Sequence, residues 1–330
     1  MPVAIIKCVF FISFSFLCNH AIAQQIDYSV PPGFKKIINK NDYRKILDIA
    51  LPFVSKRYTI ERVKDGIIYL MDSQELQILD LSDLISKCRE TKDQNAWAPV
   101  IESHFSALFS AIEEKKNIDI NQFETIRNFL SIRIYPVEMI KRRGGTDNLV
   151  LRTDLEGTYT LLMLDLQNAF TPVQQSVFQL WNKDINEVFK VAQENINKKE
   201  MVKEIREVKA GKANVEAIFI ENEDYAASYA LDLLNNSPDY VGEWGSVVAM
   251  PNKGIVNICK ISREKPLDFV PYIQLFRKPV ADFYDNHQQP VSDRFYWYYK
   301  GKFTLIQVTE DKAGQVNVVA PLGLSELITK

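Results

Sequence analysis

The chain has 330 residues, 46% of them hydrophobic, and a formal net charge of −2 at pH 7. This is the composition of a globular protein with enough apolar residues for a sizeable core. Proteins that bind nucleic acids usually carry a clustered basic face, so the nearly neutral balance of charge argues against that class.

The first 23 residues have the pattern of a secretory signal peptide. Lys7 precedes a short apolar run over residues 8–18, and Ala21 and Ala23 supply the small side chains of a cleavage site. The run is too short to span a bilayer, which requires about 20 apolar residues. We therefore expect cleavage after residue 23, export to the periplasm or the medium, and no integral membrane segment in the mature chain.

Residues 24–130 are predicted to form a helix-rich N-terminal part that also contains a hairpin. Apolar residues at three- and four-residue spacing indicate helices, and the pair Asp65 and Gly66 is typical of a tight turn between two strands. The predicted elements are, in order, a helix over 41–54, strands over 57–63, 67–71 and 76–81, and helices that begin near residues 82, 99 and 121.

Residues 131–330 are predicted to form an α+β part, in which antiparallel strand pairs are separated by helices. Tight turns join the two strands of a pair, which requires antiparallel pairing and differs from the strand–helix alternation of doubly wound folds. The segment 158–166 is apolar on both faces, which predicts a central strand covered on both sides. No linker of Pro, Gly and Ser marks residue 130, so the two parts can also form one continuous domain.

The predicted elements of this second part are three strands over 131–139, 149–153 and 158–166, a helix over 183–197, strands over 201–208 and 216–220, a helix over 224–234, strands over 245–250 and 255–261, a helix over 267–280, a hairpin over 294–299 and 302–308, and a short helix over 321–330. Pro136 limits the first of these strands to an edge, a bulge or a bend.

Four short motifs carry a resemblance to a known family. They are Arg133-Ile134-Tyr135-Pro136-Val137, Leu164-Asp165-Leu166, Trp181 and Lys183 followed by Ala192 and Asn195, and Asp224-Tyr225-Ala226-Ala227-Ser228. In order and spacing the chain resembles the YtpQ-like bacterial family, domain of unknown function 1444, over residues 53–308. The export signal and the segment 141–148 depart from the family pattern. The family has no assigned activity, so the resemblance implies a fold and no reaction.

Four polar residues from these motifs are our candidate binding residues: Arg133, Asp165, Asn195 and Asp224. Asp165 ends a strongly apolar strand. Such an acid can cap the strand, form a salt bridge with Arg133 or Arg152, or act as a general base with a raised pKa. We favour a structural salt bridge. The clustered acids Glu221, Glu223 and Asp224 fit the start of a helix without any catalytic role.

The mature chain keeps few residues that bind metals. Cys88 and Cys259 either form a disulfide or remain two separate buried thiols, and the apolar strand around Cys259 favours thiols. His104 is predicted on an apolar helix face and His287 in an exposed loop. Their positions match no zinc-binding spacing, and the sequence predicts no cofactor.

An aromatic run, Phe295-Tyr296-Trp297-Tyr298-Tyr299, is the strongest remaining signal. Aromatic residues favour half-buried strands, which predicts a core strand. Exposure of Tyr296 and Tyr298 would instead suit a peptide or a glycan. We therefore expect an exported protein with a binding or assembly role toward a protein, peptide or glycan. The alternative is a carboxylate-dependent hydrolase with Asp165 in its site.

Overall fold

The computed structural model describes residues 25–35, 37–71, 78–91, 93–116, 118–166, 169–210, 213–311 and 315–329. The strands are β1 (Gln25–Ile26), β2 (Ile60–Lys64), β3 (Ile67–Leu70), β4 (Ile78–Asp80), β5 (Leu130–Pro136), β6 (Leu151–Arg152), β7 (Thr158–Leu166), β8 (Ala169–Pro172), β9 (Val202–Ala210), β10 (Ala213–Glu221), β11 (Ser246–Asn252), β12 (Ile255–Lys260), β13 (Phe295–Tyr299), β14 (Lys302–Glu310) and β15 (Val316–Val319). The helices are α1 (Lys40–Ser55), α2 (Ser82–Glu90), α3 (Trp97–Lys116), α4 (Phe123–Ile126), α5 (Val137–Arg142), α6 (Gln175–Leu180), α7 (Ile185–Asn197), α8 (Ala226–Tyr229), α9 (Leu233–Asn236), α10 (Phe269–Asp285) and α11 (Leu322–Ile328).

The N-terminal part packs α1, α2 and α3 against a sheet of order β1-β2-β3-β4. Helix α1 begins after Asn39, whose side-chain oxygen accepts the backbone N–H of Asp42 at 2.9 Å, as expected of an N-cap. Apolar side chains of this helix, among them Ile46, Leu47 and Val54, are fully buried. Because this part combines a sheet with its helices, it is a mixed unit, and its predicted enrichment in helix is not confirmed.

A small sheet of order β5-β7-β6, with β8 paired to β7, follows in the chain. Strand β7 is central, as predicted. Leu162 and Leu164 on one face lie in a core that also contains α7 and one face of a larger sheet. Leu161 and Met163 on the other face pack in a smaller cluster with Ile140 of α5. The alternation of strand side chains therefore explains why this segment is apolar on both faces.

The larger sheet has seven antiparallel strands in the order β15-β14-β13-β11-β12-β10-β9. One face packs against the small sheet and α7, and the other face packs against α10 and α11. The α+β class and the antiparallel strand pairs are confirmed. Two of the turns are hairpin turns with positive φ at both central residues, Asp65-Gly66 and Lys300-Gly301.

Several segments differ from the predicted elements, among them β8, α6 and β15, which were not predicted. The strand predicted over 131–139 ends at Pro136, and α5 begins at the next residue. Glu138 in its first turn and Arg142 in its last turn suit the helix dipole. The helix predicted over 224–234 is interrupted, because Asp232 leaves the helical region with φ −128° and ψ 42°.

The predicted strand over 76–81 is described only from Ile78, where β4 begins. The predicted signal peptide lies outside the described residues. Within the part of the chain that the structure describes, no helix is both long and apolar enough to cross a membrane.

Candidate functional site

Arg133 is the most deeply buried charged residue of the four candidates. It lies in β5, every residue of which is buried, and only 5% of its surface is exposed. Its Nη2 donates to Oδ1 of Asp224 at 2.7 Å, and its Nη1 donates to Oε1 of Gln289. The guanidinium carbon lies 3.5 Å from the ring centre of Phe170, which is a cation–π contact. Arg133 thus joins the small sheet to the start of α8 and to the loop after α10.

Asp224 binds a second cation as well. Its Oδ1 also accepts from Nζ of Lys253 at 2.7 Å, and Lys253 lies in the turn between β11 and β12. Burial opposes the charge of Asp224, but Lys253 and Arg133 outweigh burial and hold the pKa of this carboxyl below its ordinary value. Two largely buried cations therefore share one carboxylate oxygen.

Asp165 forms a neighbouring group with Lys199 and Tyr225. Its Oδ2 accepts from the Tyr225 hydroxyl at 2.5 Å and from Nζ of Lys199 at 3.1 Å. Burial, followed by the hydrogen bond to Asp165, raises the pKa of Tyr225 above its ordinary value, so the phenol stays protonated. The ring of Phe170 lies edge-on to Tyr225, with 5.7 Å between the ring centroids, and it also contacts Arg133. We call these residues together the charged cluster: Arg133, Asp165, Phe170, Lys199, Asp224, Tyr225, Lys253 and Gln289.

The predicted partners of Asp165 were wrong, although a salt bridge is present. Arg133 lies opposite Leu161, four residues before Asp165, which corresponds to about 13 Å along the strand. Arg152 instead binds Asp154 at 2.9 Å. Lys199, which follows α7, supplies the cation for Asp165.

Asn195, the fourth candidate, is not part of the charged cluster. Its Nδ2 donates to the backbone oxygens of Arg127 at 2.8 Å and of Leu130 at 3.0 Å. These bonds fasten α7 to the backbone at the start of β5. In this structure Asn195 positions the small sheet.

An open groove of about 540 Å³ lies beside the charged cluster, between the end of α10 and one edge of the seven-stranded sheet. Its floor is a cross-strand row, in which Glu221 of β10 lies between Val202 of β9 and Ile255 of β12. The opposite wall is formed by Phe283 and His287. Asn222, Glu223, Asn252 and Gly254 form one end of the groove. The groove exists because α10 ends at Asp285 and leaves this row of the sheet uncovered.

The groove combines exposed apolar side chains with carboxylates. Val202 is 68% exposed and Phe283 is 46% exposed, which is unusual for residues of this type beside one another. Glu221 and Glu223 are exposed, and neither forms a salt bridge within the described ranges. Arg206 acts electrostatically on Glu221, but it is itself bound by Glu204. The carboxylates of the groove are therefore free to meet a ligand.

His287 was predicted in an exposed loop, but it is half-buried in the groove wall. Its Nδ1 accepts the backbone N–H of Gln289 at 3.0 Å. Burial, followed by the positive charge of Lys253, lowers the pKa of His287 below its ordinary value. The imidazole is therefore neutral at pH 7, with Nδ1 as an acceptor, and the groove carries the negative charge of its glutamates.

The cysteines lie apart. Cys88 and Cys259 are free buried thiols, one in the N-terminal core and the other beneath α10. Burial raises the pKa of Cys88 to about 11 and the pKa of Cys259 to about 12. Neither thiol therefore has the thiolate character of a nucleophile. Among the described residues, no group of three histidine, cysteine or acidic side chains could hold a metal ion.

The aromatic run is a core strand, as favoured. Tyr296 and Tyr298 are fully buried toward the small sheet, and Phe295 and Trp297 are buried toward α10. The Tyr296 hydroxyl donates to the backbone oxygen of Glu156 at 2.8 Å, which ties the two sheets together. No stacking platform for a glycan is formed by this strand.

Sequence reasoning missed the groove, and its candidate residues included only three of the eight residues of the charged cluster. Lys253 had one signal, since it lies in the short connection between the strands predicted over 245–250 and 255–261. Phe283 and Val202 had none, because an apolar residue at the end of an element is most simply assigned to the core. Comparison of the chain with protein-family models, with curated proteins and with solved structures gave no match. The resemblance to the YtpQ-like family thus stays a prediction.

Proposed function

We propose that the protein is an exported binding protein that takes a segment of another protein or a peptide into the groove beside α10. The observation that carries this proposal is the exposure of Val202 and Phe283 next to the carboxylates of Glu221 and Glu223. Exposed apolar side chains that are bordered by polar groups are typical of protein interaction sites. The signal-peptide pattern of residues 1–23 supports export.

The groove suits a segment of chain better than a small molecule. It is open along its length, and its floor is a row of strand residues in which Val202 and Ile255 flank Glu221. Small-molecule sites usually enclose most of the surface of their ligand, whereas peptide sites are grooves with a few side-chain contacts.

The alternative, a carboxylate-dependent hydrolase centred on Asp165, has less support. The hydrogen-bonding partners of Asp165 are Lys199 and Tyr225, which occupy its Oδ2. Asp165 does not line the groove. Asp224, the nearest other acid of the charged cluster, is bound by Arg133 and Lys253. A pair of carboxylates that could act as acid and base on one substrate is therefore not supported.

Selection from a random peptide-display library tests the proposal. The purified mature chain should enrich a family of peptides, and the variant Phe283→Asp should lose them, because a carboxylate in the apolar wall opposes burial of a ligand side chain. Leu180→Asp is the matched control, since Leu180 is 61% exposed in α6 and does not line the groove. Failure to enrich any peptide, or equal enrichment by Phe283→Asp, would contradict the proposal.

A further inference from the structure

Strand β9 forms one edge of the seven-stranded sheet and has no strand beside it among the described residues. It pairs with β10 over nine successive residues without a bulge. Residues 202–207 are all exposed, including the apolar side chains of Val202 and Ile205. A long, regular edge is a ready template for another strand, and proteins usually block such edges with proline, bulges or charges.

Three of the five charged residues of β9, namely Lys203, Glu204 and Arg206, are bound within the molecule. Nζ of Lys203 donates to the hydroxyls of Tyr229 and Ser237, both at 2.9 Å. Arg206 forms a two-pronged pair with Glu204 on its own strand. These bonds reduce the charge that would oppose a further strand, and the two remaining charged residues, Glu207 and Lys209, carry opposite charges.

The groove begins where β9 begins. Val202 is the first residue of β9 and the outermost member of the row with Glu221 and Ile255. A strand added to β9 would lie about 4.8 Å outside it, so its inward-facing side chains would extend this row toward the groove. The Cβ atom of Glu221 would then lie two strands away, about 10 Å from the Cβ atom of the added residue opposite Val202. A lysine or arginine side chain can span this distance.

The free charge of the groove defines the kind of side chain that fits. Glu221 and Glu223 are the charged groups of the lining, His287 is neutral, and Lys253 behind it is bound by Asp224. A basic side chain would find two carboxylates, and its methylene groups would cover Val202 and Phe283.

We propose that β9 binds an extended, basic peptide segment of a partner protein as an additional strand, which places a lysine or arginine side chain beside Glu221 and Glu223. This inference rests on the proposed function of the groove and adds the binding mode and the charge of the partner. Main-chain hydrogen bonds supply affinity in such strand addition, and the groove supplies specificity.

A second copy of the chain fits β9 less well. Antiparallel pairing of β9 with itself, centred on Ile205, would set Lys203 opposite Glu207 and Glu204 opposite Arg206. That register places Val208 opposite Val202, so no basic side chain of the second copy reaches Glu221 and Glu223. The charge of the groove therefore favours a different chain.

Fluorescence anisotropy with labelled heptapeptides tests the inference. The probe TVTKTVT should bind the mature chain, and TVTETVT should bind roughly tenfold more weakly, because attraction to the carboxylates becomes repulsion. The double variant Glu221→Gln with Glu223→Gln should weaken binding of TVTKTVT about fivefold. Glu194→Gln, an exposed glutamate on α7, is the matched control and should change nothing.

Two N-methylated forms of TVTKTVT test the strand pairing itself. One is methylated at alternate residues, and the other at the intervening residues. In an added strand only one of these sets faces β9, so one form should lose about tenfold or more in affinity and the other should bind almost normally. Equal effects of the two forms, absence of TVTKTVT binding, or concentration-dependent dimerisation through β9 would overturn the inference.

The two proposals fail in different ways. If displayed peptides depend on Phe283 but tolerate both methylation patterns, the groove is a binding site and strand addition is wrong. If the methylation asymmetry is present but Phe283→Asp binds TVTKTVT as well as the unchanged chain does, the edge of β9 binds peptides and the groove does not.

Discussion

At the scale of single residues, Arg133 shows how a buried charge is stabilised in this protein. The guanidinium loses most of its hydration in β5, and in return it has the Asp224 carboxylate, the Gln289 amide and the face of Phe170. Removal of one partner of a buried pair costs more than the pair itself contributes, because the remaining charge stays buried without compensation. Asp224 is the charged partner of two such cations, Arg133 and Lys253.

Asp224→Asn should therefore destabilise the protein by about 3 kcal/mol, since it leaves Arg133 and Lys253 close together without a counter-charge. Chemical denaturation at pH 7 measures this change. Glu223→Gln is the matched control, because it removes an exposed negative charge one residue away, and it should change the free energy of unfolding by less than about 0.5 kcal/mol. Equal effects of the two variants would show that Arg133 does not depend on Asp224.

His104 gives a second residue-scale prediction, on pH. Burial, followed by the positive charge of Lys87, lowers its pKa to about 4, and Asp83 opposes this only in part. In the unfolded chain its pKa is about 6.5. Between these two values the unfolded state binds more protons, so stability falls as the pH falls from about 6.5 to about 4. The total loss should be about 3 kcal/mol.

Denaturation curves at several pH values would measure this loss. The variant His104→Gln should lack this component, because glutamine does not titrate. The informative quantity is the difference between the two proteins across the pH range, since the acidic residues that titrate below pH 5 are the same in both. Identical pH profiles would mean that the imidazole is hydrated in the folded state.

At the scale of secondary-structure elements, β7 packs against the larger sheet through one apolar face and against α5 through the other. Leu162 lies fully buried between the small sheet and α7, and its neighbours come from several elements. The cost of shortening such a side chain includes both lost burial and the cavity that remains.

Leu162→Ala should lower the free energy of unfolding by about 3 kcal/mol. The same substitution at Leu180, which is 61% exposed in α6, should cost less than about 0.5 kcal/mol. Thermal or urea denaturation of both variants makes the comparison. A small effect at Leu162 would argue against a central position of β7.

Local chemistry explains which elements could be predicted. The hairpin at Lys300 and Gly301 needs positive φ at both residues, and glycine favours that conformation, so the turn is visible in the sequence. The break at Asp232 is not visible, because it depends on hydrogen bonds from Asn197 and Asn235 to its carboxylate. Asn197 is 35 residues away from Asp232 in the chain, so this contact is set by the fold.

The same reason limits prediction of the site. Arg133 and Asp224 were both candidates, but their pairing joins positions 91 residues apart in the chain. The row of Val202, Glu221 and Ile255 depends on the register of three strands, which the sequence does not specify to the residue. A groove is a gap between elements, so it becomes visible only when the end of α10 is placed over the sheet.

At the scale of the whole molecule, the cores of the two parts are separate. The N-terminal core takes its buried side chains from Phe34 to Phe105, and the core between the two sheets begins at Phe123. An ion pair between Asp80 and Arg143 connects the parts across this division. Loss of such a partly exposed pair costs little compared with loss of a core.

A chain of residues 118–330 should therefore fold by itself, and a chain of residues 24–116 should keep its helices. The first fragment retains two indole hydrogen bonds of 2.8 Å. The Trp181 indole donates to the backbone oxygen of Ile120, and the Trp297 indole donates to the backbone oxygen of Trp244. We expect a native near-ultraviolet circular dichroism spectrum from these tryptophans and one cooperative unfolding transition, with a midpoint within about 5 °C of that of the full chain. Arg143→Gln in the full chain is the control for loss of the ion pair alone. A fragment without near-ultraviolet signal would mean that the N-terminal part stabilises the two sheets through contacts beyond this ion pair.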